Sequence, residues 1–252
     1  MEGAVIALLC RTSDRDARGA QGAEALAHEL ARRIGTEARM IGSPGEPKDG
    51  HWEDDLRESH GCLLEAGGQV EDAMTGGRYP VLTSCDCSIC LTTLPTLVRH
   101  RPDAWVLWLD AHADFNSPDT TPSGFLGGMC LAAACGRWDA DGWPGTLDPA
   151  RVHLLGVRDL DPGEEREVEA AGLSAEIPDG VPLYVHLDTD VLDPSVMAAQ
   201  FAVPDGWDAR RLQGQLAELA AGCEIVGVEV TALEDVSAVP LVARALEPLL
   251  GG

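Results

Sequence analysis

Short apolar segments that end in acidic residues alternate along this chain with segments of helical periodicity. The clearest is Trp105–Leu109, a run of strand length that passes directly into Asp110. A second run, residues 183–187, passes into Asp188 in the same way. Amphipathic segments such as 20–34, with apolar residues three and four apart, separate these runs. This alternation predicts an α/β fold with three layers, α/β/α, around a central, mostly parallel sheet.

The length and charge of the chain narrow the class of protein. A chain of 252 residues without a visible repeat or linker predicts one domain over residues 1–252. Its 42 acidic residues outnumber 18 lysines and arginines, for a formal net charge of −24, which argues against nucleic acid or an anionic membrane as a partner. The N-terminal segment lacks the pattern of a signal peptide, and no apolar run is long enough to span a bilayer. We therefore expect a cytoplasmic protein.

Eight cysteines are scattered along the chain. A domain of this size needs no disulfide scaffold, so we expect most of them to be small buried hydrophobic residues in a reducing compartment. The spacing Cys85-x-Cys87-x-x-Cys90 suggests a zinc knuckle, but a second Cys or His pair at the usual spacing is missing from the sequence.

Glycine and proline divide the remaining segments. Residues 52–77 have helical character, which Gly61 and the pair Gly67-Gly68 are expected to interrupt. Residues 117–128 are rich in Thr, Ser, Pro and Gly and too long for a simple turn, which predicts a loop that covers a substrate. Residues 236–250 are expected to form the closing helix.

Acids and a thiol stand where four apolar runs end. Because the carboxyl ends of parallel strands meet at one edge of a sheet, we expect these side chains to converge. Converging carboxylates repel one another unless cations hold them, and their oxygen and nitrogen donors suit a divalent ion such as Mn(II). We therefore predict a binuclear metal site, although any one motif taken alone would also fit a strand end with solvated acids. The motifs are Cys85-Asp86-Cys87, Asp110-Ala111-His112-Ala113-Asp114, Asp188-Thr189-Asp190 and Glu229.

The four motifs and their order resemble the ureohydrolase family, which includes arginase, agmatinase and formiminoglutamase. The family patterns are Gly-Gly-Asp-His, Asp-Ala-His-x-Asp, Asp-x-Asp-x-x-Asp-Pro and a late Glu at a strand end. The corresponding segments here are Ser84-Cys85-Asp86-Cys87, residues 110–114, residues 188–194 and Val228-Glu229-Val230. The resemblance implies an arginase-like fold, two Mn(II) ions per chain, a homo-oligomer and hydrolysis of a guanidino or related C–N bond.

The resemblance also implies roles for individual residues. Asp110 and Asp188 would bridge two metal ions, Cys87 and Asp114 would complete one site, and His112 and Asp190 the other. A hydroxide shared by the two ions would attack the guanidino carbon. Asp114 and Glu229 are the predicted catalytic residues, with Glu229 pairing with the guanidinium nitrogens.

The substrate implied by the resemblance is a small L-arginine-like amino acid. Asp161 and Glu164 correspond to the segment that binds the α-amino group in arginases, and Asn116 and Ser123 to residues that hold the α-carboxylate. The alternative for residues 159–164 is an acidic helix N-terminus favoured by the helix dipole.

Two positions depart from the arginase pattern. Cys87 replaces a histidine ligand, and because a thiolate is a soft ligand and Mn(II) a hard ion, we expect that metal site to be weak or empty. Gly127 replaces the histidine thought to shuttle protons in arginases. Loss of a general acid/base costs about 10²–10⁴ in rate, so a substrate that needs less assistance would suit this site.

An N-hydroxylated guanidine is such a substrate, because its hydroxyl group withdraws electrons and leaves more of the group neutral near pH 7. The altered metal ligand resembles a branch of the family that acts on this substrate in antibiotic biosynthesis. We therefore predict hydrolysis of Nω-hydroxy-L-arginine to hydroxyurea and L-ornithine. The alternatives are an arginase that releases urea, and a metal-binding pseudoenzyme with little activity.

Overall fold

A seven-stranded sheet forms the centre of the protein, and every neighbouring pair of strands in it is parallel. The computed structural model describes residues 2–140, 142–143 and 145–251, so the ends of the predicted domain, Met1 and Gly252, lie outside it. The spatial order of the strands is β2-β1-β3-β7-β6-β4-β5. Their bounds are β1 Gly3–Leu8, β2 Arg39–Ile41, β3 Tyr79–Ser84, β4 Trp105–Leu109, β5 Val152–Leu155, β6 Pro182–Asp188 and β7 Glu224–Thr231.

Helices cover both faces of the sheet. Side chains of α1, α6 and α7 form one apolar core with the sheet, and those of α2, α3 and α4 form a second core on the opposite face. The three-layer α/β/α prediction is thus confirmed. The helices are α1 Arg18–Ile34, α2 Trp52–Thr75, α3 Cys90–His100, α4 Cys130–Ala134, α5 Pro162–Ala171, α6 Ala209–Gly222 and α7 Val239–Leu246. In the described part of the chain, no helix is both long and apolar enough to cross a membrane.

Helix α2 runs without a break, so the predicted interruption at its glycines is wrong. Gly67 faces α3, where a Cβ atom would lie 3.0 Å from the Cβ of Thr92, and Gly61 and Gly68 face open space. A glycine inside a helix costs about 1 kcal/mol relative to alanine. The close packing that Gly67 permits offsets part of this cost.

The closing segment is also less regular than predicted. Helix α7 covers only Val239–Leu246, with a short 3₁₀ turn on each side. Pro240 stands in its first turn and Pro248 just beyond its end. Proline is tolerated at these positions, whereas in the interior of a longer helix it would break the helix.

The cysteines differ from expectation in one pair. Cys10, just after β1, forms a disulfide with Cys62 of α2. Four of the free cysteines are fully buried, as predicted, while Cys135 and Cys223 are partly exposed.

Strands β3, β7, β6 and β4 are neighbours in the sheet, so the four acid-bearing segments do reach one edge. The register places Trp108, His186 and Glu229 side by side on β4, β6 and β7. Asp188 and Thr231 are paired two residues further along, so they lie one layer nearer the carboxyl edge on the same face.

Candidate metal centre and substrate pocket

A pocket of about 250 Å³ opens at the carboxyl edge of β3, β6 and β4. Its floor carries all six predicted metal ligands, and its wall includes the four predicted contacts to the α-amino and α-carboxylate groups. The floor residues are Cys87, Asp110, His112, Asp114, Asp188 and Asp190, and the wall residues Asn116, Ser123, Asp161 and Glu164.

Asp110, His112 and Asp190 form a compact group. The Nδ1 atom of His112 lies 2.9 Å from Oδ2 of Asp190 and 3.4 Å from Oδ1 of Asp110. One ligand atom from each of the three residues falls within 4.8 Å of the others, a spacing that one divalent ion could bridge. Backbone amides fix both acids, since His112 N donates to Asp110 and Ala111 N to Asp190.

A second group surrounds Cys87, which begins a short 3₁₀ turn after β3. Its Sγ donates to Oδ2 of Asp188 over 3.0 Å and lies 3.2 Å from Oγ1 of Thr231. Cys87, Asp110 and His186 also place one ligand atom each within 4.8 Å of one another. The preceding residue, Asp86, also lines the pocket, and its carboxylate accepts hydrogen bonds from Thr12 and Ser13 in the loop after β1.

The electrostatics of the floor favour a bound cation. Burial, reinforced by the charge of a neighbouring acid, raises the pKa of Asp188 to about 7 and that of Asp190 to about 6. Burial and the charge of Asp110 also raise the pKa of Asp114 well above its usual value. Burial raises the pKa of the Cys87 thiol, with further contributions from the nearby acids. These shifts arise because the anionic forms lack sufficient positive charge nearby, which a divalent ion would provide.

His112 supplies part of the positive charge that the buried acids need. Burial alone would lower its pKa, but hydrogen bonds and charge from Asp110 and Asp190 outweigh burial and raise the pKa to about 12. The protonated imidazole thus sits between two carboxylates. A metal ion at this position would have to displace that proton.

The segment after β4 reaches the floor as a loop and not as a continued strand. Strand β4 ends at Leu109, and Asp114 adopts a left-handed backbone with φ of 49°. The carbonyl of Asp114 accepts hydrogen bonds from Leu131 N and Ala132 N at the start of α4. Alternation along an extended strand would also place the side chains of residues 110, 112 and 114 on one face, but here a loop brings all three to the pocket.

Glu229 lies beneath the pocket and does not line it. Its carboxylate is fully buried and accepts hydrogen bonds from Thr93 Oγ1 at 2.6 Å and Tyr184 OH at 3.1 Å. Nδ1 of His186 lies 2.8 Å from its other oxygen. Glu229 precedes the end of β7 by two residues, which places it one layer below the metal floor. The carboxylate therefore faces His186 and not the pocket.

The predicted substrate contacts stand on two loops that meet at the pocket. Asn116 Nδ2 donates to Asp161 Oδ2 over 3.0 Å. Glu164 forms a capping box with Asp161 at the start of α5, and its Oε1 also accepts from Phe115 N at 2.7 Å. Ser123 stands in the loop 117–128 at the mouth of the pocket, where its hydroxyl accepts from Phe125 N.

Several site residues were missed by the sequence analysis. His186 and Trp108 lie under the metal floor, and their rings stack with centroids 3.5 Å apart. His186 stands two residues before Asp188 in an apolar run, so the two-residue period of a strand could have placed both on one face. Asp14, Phe201 and Glu234 also line the pocket, and only tertiary structure brings them there.

Comparison with known proteins agrees with this geometry. Residues 50–236 match the model of the arginase family. The chain is 35% identical over 236 residues to the Nω-hydroxy-L-arginine amidinohydrolase of Streptomyces lavendulae, covering 88% of this chain and 85% of that protein. It is 34% identical to the arginase of Bacillus caldovelox over 154 residues, about half of each chain. The solved structure of a Bacillus caldovelox arginase superposes with a TM-score of 0.83 over 99% of this chain and 98% of that one, at 24% identity.

The fold and the acidic floor define a hydrolase that acts on amidine C–N bonds. This chain belongs to the arginase family.

Proposed function

We propose that this protein hydrolyses Nω-hydroxy-L-arginine to hydroxyurea and L-ornithine with two Mn(II) ions. The identity of 35% over most of both chains to an enzyme named for this substrate carries the proposal. Cys87 and Gly127, the two departures from the arginase pattern, support it, since both would weaken an ordinary arginase.

The residues on the pocket floor fit a pair of divalent cations. The donor set is mostly carboxylate with one imidazole and one thiol, and burial raises the pKa of Asp188 to about 7 and that of Asp190 to about 6, shifts that a bound cation would oppose. Asp110 and Asp188 would contribute to both ions, with Cys87 and Asp114 completing one site and His112 and Asp190 the other. Bound metal would supply a water of lowered pKa as the nucleophile for the electrophilic guanidino carbon.

The chain's own residues would position the amino acid end of the substrate. The Asp161 carboxylate, held by Asn116, faces the pocket as a partner for an α-ammonium group. The Oδ1 atom of Asn116 is buried and unpartnered within the described residues, so it is available to a bound donor. The loop 117–128 closes the opposite side, where Phe125 contacts the rings of Phe201 and the guanidinium of Arg15.

The second candidate is an arginase. It is supported by the many arginases among the relatives and by the amino-acid-binding side of the pocket, which both substrates share. The substrates of the two candidate enzymes differ only in the hydroxyl group on the terminal guanidino nitrogen.

A direct comparison of substrates tests the proposal. We expect kcat/KM for Nω-hydroxy-L-arginine to exceed that for L-arginine by more than about 100-fold, measured as ornithine released by Mn(II)-loaded protein, because the missing general acid costs about 10²–10⁴. A preference for L-arginine would replace the proposal with the arginase alternative. Absence of metal-dependent hydrolysis of either compound would favour the pseudoenzyme.

Paired variants in one motif tie the activity to the floor. Asp188→Asn should abolish turnover, whereas Asp193→Asn should leave it within about threefold, because the Asp193 side chain lies outside the pocket and, among the described residues, accepts hydrogen bonds from Ser195 and Gly206. Equal activity of the two variants would contradict a metal role for Asp188.

The homo-oligomer and the cytoplasmic location stay predictions.

A further inference from the structure

A buried histidine beneath the pocket floor has the properties of a metal ligand. His186 is fully buried, and its Nε2 atom has no hydrogen-bond partner among the described residues. A buried ring nitrogen without a partner costs free energy, so a ligand that fills this position would relieve the cost.

The partners of the other ring nitrogen set the chemical state of His186. Nδ1 lies 2.8 Å from Glu229, whose carboxylate also receives the hydroxyls of Thr93 and Tyr184. The short distance from Nδ1 to this carboxylate fits the tautomer in which Nδ1 carries the proton and donates it to Glu229. Nε2 then carries a lone pair. A carboxylate behind one ring nitrogen is the usual arrangement that orients a metal-binding histidine.

Stacking restricts the plane of the His186 ring. It stacks on the indole of Trp108 with an angle of 2° between the planes, and Trp108 Nε1 in turn donates to Asp110 over 3.1 Å. Trp108 thus fixes both His186 and a carboxylate of the floor. A ring nitrogen of His186, the Cys87 thiol and an Asp110 oxygen come within 4.8 Å of one another.

We propose that His186 is a ligand of the ion at Cys87, with Glu229 as the positioning residue behind it. This ligand role extends the proposed function and depends on one part of it, the binding of a metal ion at Cys87. It gives the site an imidazole from β6, next to the thiol that stands at the family's histidine position. One thiolate, one imidazole and carboxylates form a borderline donor set, which binds Co(II), Zn(II) or Fe(II) more tightly than Mn(II).

Metal titrations of the whole protein test this assignment. Metal-free protein is titrated with Co(II), and the near-ultraviolet charge-transfer absorption of the thiolate–Co(II) bond reports the Cys87 site alone. We expect His186→Gln to weaken this site by at least about tenfold. His153→Gln, at a histidine of β5 that bonds the Ser174 carbonyl, is the matched control and should titrate like the wild type. An unchanged titration of His186→Gln would overturn the proposal.

A second variant covers the case in which His186→Gln does not fold. In Glu229→Gln, the amide can donate to Nδ1 and shift the imidazole proton to Nε2, which removes the lone pair. We expect the same site to weaken about 10–100-fold. Unchanged Co(II) affinity at this site would contradict the positioning role of Glu229.

X-ray absorption on the wild type gives a readout that needs no variant. With two equivalents of Co(II), His112 and His186 predict two imidazoles and one sulfur per pair of ions. One imidazole, or a missing thiolate band, overturns the inference. Hydrolysis of Nω-hydroxy-L-arginine is measured separately. If Co(II) binds as expected but the substrate is not hydrolysed, the proposed function is rejected and the ligand role of His186 stands. If the substrate is hydrolysed but His186→Gln binds Co(II) like the wild type, only the ligand role of His186 is rejected.

Discussion

The Sγ atom of Cys87 lies 3.0 Å from a carboxylate oxygen of Asp188, in a position where both groups are buried. Without a metal, the thiol serves as a donor, because burial and three nearby acids raise its pKa. With a metal, it would have to lose that proton. The same contact therefore marks the site at which metal preference is decided.

Substitution of Cys87 should change this preference in a defined order. We expect Cys87→His to bind Mn(II) at this site at least about tenfold more tightly than the wild type, because imidazole matches Mn(II) better than a soft thiolate does. Cys87→Ser should lose the thiolate–Co(II) absorption and weaken Co(II) binding. Calorimetric titration with each metal measures both effects. Identical Mn(II) stoichiometry and affinity in all three proteins would count against a ligand role for Cys87.

Gly127 offers a second test, because the structure gives a steric reason for its glycine. A Cβ atom there would lie 2.6 Å from Cε1 of Phe125, so a histidine does not fit unless that ring moves. We expect Gly127→His alone to lower the melting temperature without adding arginase activity. Combined with Phe125→Ala, it should raise kcat for L-arginine by up to about 100-fold, the lower range for a restored general acid/base. Phe125→Ala alone is the control, and an equal gain in it would remove the histidine from the explanation.

The sequence predicted the fold because local signals and topology agree. Apolar runs at β1, β3, β4, β6 and β7 alternate with helices, and the strand order then brings the acid-bearing ends together. Strand β2 was missed because it contains only three residues, Arg39–Ile41. The disulfide between Cys10 and Cys62 could not be foreseen, because it depends on contact between the end of β1 and the middle of α2.

The sequence predicted which side chains meet at the pocket but not how they are oriented there. Val228-Glu229-Val230 looks like a strand end, yet β7 continues to Thr231 and Glu229 falls one layer lower. The same layer contains His186, whose environment on β6 appears only when β7 is placed beside it. Motif spacing therefore predicted the acids that line the floor of the pocket, while pairing between strands decides that Glu229 lies in the layer below it.

The raised pKa values on the floor predict how pH affects the metal-free protein. Asp188, with a pKa of about 7, and Asp190, with a pKa of about 6, are both above their unfolded values. A carboxylate with a raised pKa favours the folded state at low pH, and this stabilisation is lost as pH rises through about 4–7. His112, with a pKa of about 12, contributes stability fully below about pH 6.5 and progressively less above it.

Both trends have the same sign, so metal should stabilise the protein more as pH rises. We expect saturating Mn(II) to raise the melting temperature by roughly 5–10 °C at pH 8, on the order of 2.7 kcal/mol at 100 times the Kd. At pH 5.5 protons compete with Mn(II) for the same ligands, so the increase in melting temperature should shrink to a small fraction of its value at pH 8. Thermal denaturation with and without Mn(II) at both values measures this. Equal increases at the two pH values would contradict the predicted proton displacement.

The disulfide predicts a measurable contribution to stability. The bond joins residues 52 positions apart, and closing a loop of this size in the unfolded chain is worth about 2–4 kcal/mol. We expect Cys62→Ser to reduce the free energy of unfolding by this amount under non-reducing conditions, and dithiothreitol to have the same effect on the wild type. Cys223→Ser, at a partly exposed free thiol, should change little. Thiol titration in denaturant should find six reactive groups; eight would exclude the bond.

Recognition of the substrate's α-amino group should depend on Asp161. Its carboxylate lines the pocket and is held by Asn116, whereas the neighbouring Glu164 uses its oxygens on the backbone of Phe115 and Asp161. Loss of a hydrogen bond to a charged group costs about 1.5–3 kcal/mol, so Asp161→Asn should raise KM roughly 10–100-fold with little change in kcat. Glu165→Gln removes an exposed charge from the same helix start and is the matched control. Agmatine analogues keep the amino group on the same carbon but lack the α-carboxylate, so they separate the contact to the amino group from the contact to the carboxylate. Asp161→Asn should weaken binding of these analogues as much as it weakens binding of the full substrate. A fall in kcat at constant KM would instead place Asp161 in the chemical step and contradict its role in binding.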